Sequence, residues 1–234
     1  MPRPSPTPWA LPPAVPWPRF LRLLRQPEPP RGWLEAAAEL PELQKRPLLL
    51  RWIAQHPKAP AHLRARLMGR LPWRGLAAVA ADAAAHPQAC QQATEKLQQL
   101  WVGMTTGERR SLALHAPRAL WRLIWPCPST DVLAAFLQHP KLSLEALIAL
   151  IQPPLRPPQV EALATSRWRE LVPVAEQVLQ ALDRSLPLPD SGLVLGHAAP
   201  WIRALDDETR ILAASRILTP ALRRMVHPRR GDRD

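Results

Sequence analysis

From Phe20 onward, apolar residues recur at alternating steps of three and four, the period of an amphipathic helix. The stretches VLAAFLQ, LEALIALI and LVPVAEQVLQALD show it most clearly. Prolines interrupt the pattern every 10 to 15 residues, so the predicted helices are short. Nothing alternates apolar with polar over a strand length, glycines number only eight, and β-branched residues are few. The pattern predicts an all-α protein.

Upstream of Phe20 the pattern vanishes. Eleven of the 31 prolines fall in the first 30 residues, and each lacks a donor and fixes φ. Residues 1–19 therefore read as a Pro-rich arm, extended or disordered, in which Trp9 and Trp17 are expected to dock back onto the body or to serve as a recognition element. The following PRFLRLLRQ and RGWLEAAAEL read as short helices, so 20–45 forms an N-terminal helical cap.

Within residues 46–184 one layout recurs. WIAQHPKAPAHLRARL, AADAAAHPQACQQATEKLQQL and LAAFLQHPKLSLEALIALI each run an apolar helix into His-Pro, then a linker, then a second apolar helix. The corners are His56–Pro57, His86–Pro87 and His139–Pro140; looser copies place His115, Ser166 and His197 at the same point. Proline excludes α geometry from the residue before it, so the first helix stops there. A polar side chain at that residue is then expected to bond exposed backbone groups at the helix end. Ser143, and Ser129 or Thr130, read as caps of the helices that follow them, and Asp206 to Glu208 as an acidic first turn. One pair of short helices cannot bury its apolar stripe alone, whereas stacked pairs can.

IAQHPKAPAHLRARL and FLQHPKLSLEALIAL resemble the leucine-rich repeat variant, whose units pair a helix with a shorter one around a Pro-x-x-Pro turn. More loosely, the chain is similar to HEAT-like α-solenoids. The resemblance implies a right-handed solenoid of about five or six two-helix repeats over 46–184, with 185–234 as a C-terminal helical cap and basic tail. Two departures stand out: His56, His86 and His139 replace the asparagine usual in the family turn, and the iron–sulfur cysteine cluster of one branch has no counterpart. Neither cofactor nor metal is implied. Histidines on neighbouring repeats, roughly 10 Å apart, cannot converge on one ion, so His56, His86 and His139 read as turn caps.

Charge changes the picture in one respect. The formal net charge is +12, and it is unevenly placed. From Lys45 to Arg74 there are eight basic residues and no acidic one, and from Arg210 onward seven arginines face two aspartates. Tyr and Asn are absent, Lys is scarce and Arg abounds, a skew expected of a GC-rich genome. Arg64, Arg66, Arg70 and Arg74, with Trp52 and Trp73 interleaved, form a candidate contact for nucleic acid or an acidic protein. Trp121 and Trp125, four apart and so on one helical face, would make a hot spot if exposed together. HEAT-like proteins include DNA glycosylases, but such an enzyme needs a carboxylate beside aromatics, and this basic stretch has none. No phosphate loop, hydrolase elbow or metalloprotease motif occurs, and Cys90 and Cys127 match no metal or redox spacing. The reading is a non-catalytic protein-interaction scaffold, with a nucleic-acid-binding alternative that uses the basic first repeat and Arg-rich C-terminus. No membrane span or signal peptide is expected, and a cytoplasmic location follows from the reduced cysteines.

Overall fold

The computed structural model describes residues 17–227, and every regular element in that range is helical. By contact density the chain divides into two compact units, the first ending at Gly103 and the second beginning at Met104. The division falls inside the 46–184 stretch.

Prolines mark where these helices begin. Pro41, Pro47, Pro87, Pro157 and Pro220 each occupy a first turn, where the missing N–H would have had no partner in any case. Each also forces its predecessor out of α geometry: Leu40, His86 and Arg156, just before a helix, have ψ of 125°, 133° and 155°. Frequent proline thus yields many short helices rather than few long ones. Helices of this length are marginal alone in water and depend on packing.

The first unit contains α1 (Trp17–Leu24), α2 (Trp33–Glu39), α3 (Pro41–Gln44), α4 (Pro47–Gln55), α5 (Ala61–Arg70), α6 (Trp73–Ala80) and α7 (Pro87–Trp101). Helix α4 packs on α5 and α6 on α7; α4 also lies against α6, and α5 against α7. Leu50, Ile53, Leu63, Leu67, Leu76 and Leu97 fill the space between them. Phe20 and Trp33, with centroids 5.0 Å apart, close the N-terminal end. Residues 17–19 belong to α1, so the helical part starts earlier than the arm boundary at 19 suggests. Trp17 sits edge-on to Phe20 at 5.4 Å, docked on the body. The rest of the arm, Trp9 included, and the arginines from 229 onward lie outside the described residues.

The second unit contains α8 (Thr106–Ala113), α9 (Trp121–Ile124), α10 (Thr130–Leu137), α11 (Leu144–Leu150), α12 (Pro157–Ala164), α13 (Val172–Ser185), α14 (Ala199–Arg203), α15 (Asp207–Arg216) and α16 (Pro220–Val226). Helices α8, α10 and α12 lie in a row, and α11 lies against α13. Phe136 is fully buried, with Trp121 edge-on at 5.9 Å and Trp125 at 6.3 Å. Burying such a ring stabilises by about 2–3 kcal/mol.

Side chains complete the helix ends. The Ser143 hydroxyl accepts the Ala146 N–H, and an Asp206 carboxylate oxygen accepts that of Thr209. Thr105 and Glu108 form a reciprocal capping box at the start of α8. In α13, buried Asp183 accepts the backbone N–H groups of Leu218 and Thr219, both at 2.8 Å, and so holds the approach to α16. Buried Ser185 accepts the Leu155 N–H while donating to the Ala181 carbonyl.

Candidate functional site: the corners and the arginine surfaces

At all three His-Pro corners the imidazole Nδ1 accepts a backbone N–H two residues on. Lys58 donates to His56 at 3.1 Å, Gln88 to His86 at 3.2 Å, and Lys141 to His139 at 3.1 Å. The ring thus closes the turn after the proline instead of bonding the end of the preceding helix. Ser166, at the looser corner, does the same: its hydroxyl accepts the Trp168 N–H at 3.2 Å.

The second ring nitrogen goes further. Because Nδ1 accepts, the proton of a neutral ring sits on Nε2. In His56 that nitrogen donates to the carbonyl of Gln26 at 2.8 Å, 30 residues back and itself followed by Pro27. The His139 ring likewise faces the carbonyl of Ala116, followed by Pro117, near enough for that oxygen to raise its pKa. Each histidine lies against the main chain just before an earlier proline. Both rings are buried, at 5% and 3% exposure. Burial lowers the His139 pKa most, the Ala116 carbonyl opposes it, and the His115 and Lys141 charges lower it further. His86 differs: half-buried, it caps α7 directly, and the helix begins at Pro87 without an intervening turn. His115 is exposed.

Three proposed contact residues turn out to be framework. Arg64 is 6% exposed, because it shares the inner face of α5 with Leu63, Leu67 and Met68, and its Nε donates to the Ala59 carbonyl at 2.9 Å. Trp121 and Trp125 are 5% and 6% exposed and pack on Phe136, so they form no surface hot spot. The Trp121 indole N–H donates to the Ala116 carbonyl at 3.1 Å, the same oxygen that His139 faces. Each reassignment has a sequence signal: Arg64 lies four before Met68, and Leu120, Trp121, Ile124 and Trp125 make a wholly apolar face.

The remaining basic residues are sorted by face. Arg66 is exposed but pairs with Glu39, and Lys58 stands 3.8 Å from Glu28. Arg70 and Arg74 are exposed, and the Arg74 guanidinium lies 5.2 Å from the centroid of half-buried Trp73. The basic stretch PRFLRLLRQ supplies most of α1, and its arginines are not among the contact residues expected from the sequence. Arg19, Arg22 and Arg25, all exposed, follow one another at intervals of three and so share a face. Arg25 lies over Trp52 of α4 at 5.1 Å, and Arg46, capping α4, lies over Trp17 of α1 at 4.8 Å. Helices α1, α4 and α6 contain no acidic residue, whereas Glu35, Glu39 and Glu42 sit on α2 and α3.

The second unit offers an apolar groove of about 280 Å³ between α12 and the segment before α14. Val160, Ala164, Val194, His197 and Pro200 line it, and Val194 is 61% exposed. Among the described residues no cluster of His, Cys, Asp and Glu could hold a metal ion, and no helix is long and apolar enough to cross a membrane. Cys90 is half-buried with its thiol directed at the Val79 carbonyl, and burial, then the Asp82 charge, raises its pKa away from the reactive thiolate. Comparison of the chain with protein-family models, with curated proteins and with solved structures yields no match.

Proposed function

We propose that the chain is a non-catalytic scaffold of α-solenoid type that holds another protein. The observation that carries this reading is the repeated corner: in each unit once, a buried histidine closes its own turn and lies against the main chain before an earlier proline. Repeat proteins are built of such nearest-neighbour ties. The rows of first helices, α4 with α6 and α8 with α10 and α12, support it too. So does the exposed apolar groove around Val194, which suits an apolar side chain of a partner.

The test is affinity capture with the full chain at physiological salt, beside Val194→Glu and Ala164→Glu variants. A protein recovered in stoichiometric amount with the parent chain and lost with either variant supports the reading. Recovery of no such protein, or a partner indifferent to both changes, overturns it.

A further inference from the structure

We infer that the face made by α1 and α4 in the first unit binds single-stranded nucleic acid through stacked arginines. The inference stands apart from the protein-holding reading, since its residues all belong to the first unit and the Val194 groove lies in the second.

The two arginine–tryptophan stacks are reciprocal. Arg25, just past the end of α1, lies over Trp52 of α4, and Arg46, just before α4, covers Trp17 of α1. Each indole holds a guanidinium carbon over its ring, 5.1 and 4.8 Å from the centroid, which reduces the freedom that arginine loses when it binds. A guanidinium seated on a ring keeps its in-plane N–H groups at the edges and presents its outer face as a second plate. The edges suit phosphate oxygens, and the plate suits a nucleobase, because unstacked bases lie readily on arginine planes. Arg19 and Arg22 extend the same α1 face, about 4.5 Å further along the helix axis per three residues. Among the described residues none of Arg19, Arg22, Arg25 and Arg46 has an acidic ion-pair partner.

Other polyanions fit less well. A membrane surface would need α1 to insert its apolar side, but Phe20 and Leu24 are 0% and 3% exposed within the unit. An acidic peptide could use the edges but has no flat ring for the outer plates. Duplex nucleic acid keeps its bases stacked on one another, so it too leaves the plates unused. A single strand uses both.

The experiment is fluorescence anisotropy with the full chain and a labelled strand of about 15 nucleotides, enough to cover a face of this kind. A duplex of equal length and a polyglutamate peptide serve as competitors. The triple variant Arg22→Glu/Arg25→Glu/Arg46→Glu is compared with Arg110→Glu/Arg122→Glu/Arg169→Glu, exposed arginines of the second unit that change net charge equally. The first triple is expected to weaken binding at least about tenfold and to lower the salt slope by about 2, from three lost phosphate contacts. The second triple should leave both nearly unchanged. Trp52→Leu should weaken the single strand more than the duplex, a change that loss of charge alone does not produce. Equal losses from the two triples would reduce the effect to bulk charge and overturn the inference. Stronger binding of the duplex, or displacement by polyglutamate at equal charge, would overturn it as well, the latter in favour of an acidic protein.

Discussion

Truncating His139 to alanine separates a corner from what it grips. The change removes the hydrogen bond from the Lys141 N–H at 3.1 Å, the edge-on contact with Trp121 at 5.3 Å, and the ring's approach to the Ala116 carbonyl. The hydrogen bond contributes about 1 kcal/mol, and the ring contact about 0.5–1.5. The Ala116 oxygen keeps its bond from the Trp121 indole, so it is not orphaned. His139→Ala is therefore expected to cost about 2 kcal/mol. His86→Ala, which forfeits one bond at a helix start, should cost about 1. Asparagine at 139 offers an acceptor to the Lys141 N–H but is too short to reach Ala116, and should recover about 1 kcal/mol of the loss. Urea unfolding followed by far-UV circular dichroism, at unchanged m-value, measures all three. Equal losses at 86 and 139, or full recovery with asparagine, would refute the argument that the reach to the earlier corner is what stabilises.

The remaining expectations concern single groups. Because burial lowers the His139 pKa below its unfolded value, its neutral ring stabilises the fold above about pH 6.5. That contribution is lost as pH falls through the lowered value, so the urea midpoint should drop on acidification, and His139→Asn should flatten the dependence. Arg64→Ala should lower the melting temperature, by about 1–2 kcal/mol equivalent through its buried bond to Ala59, while leaving strand binding in anisotropy unchanged. A loss of binding without a loss of stability would return Arg64 to the contact surface. Asp183→Asn should cost about 2–3 kcal/mol, because an amide cannot accept both the Leu218 and Thr219 N–H groups as the carboxylate does. Burial pushes that carboxyl up, but the Leu218 and Thr219 bonds hold it below its ordinary value, so its contribution persists above about pH 4 and fades below.

The helices and their breaks were legible in the chain because two local rules decide them. Proline sets where a helix can start, and the period of three and four sets which side is buried. The His-Pro corners and the final helix from Pro220 follow from those rules, and Ser143 shows its cap by residue type, whereas Asp206, read as part of an acidic first turn, is itself the cap. What lay beyond them was partnership across the chain. Nothing near position 139 says that its ring meets the Ala116 carbonyl, or that Trp168 donates its indole N–H to the Leu137 carbonyl at 2.8 Å. Charge misled for a related reason. A run of basic residues looks like one patch, but the helix turned Arg64 inward and placed Arg66 beside Glu39, while Arg25, outside the run, met Trp52. Surface charge is a property of faces, and faces mix distant segments.

A clasp whose receiving half is main chain places no demand on the side chain that bears it. Gln26 and Ala116 have nothing in common chemically, yet each presents the same oxygen to an imidazole. Mutation can drift freely at the receiving positions, and spacing between clasps can lengthen or shrink, so long as a proline keeps the carbonyl turned outward. Copies related in this way lose their textual likeness quickly while the joint between them stays intact.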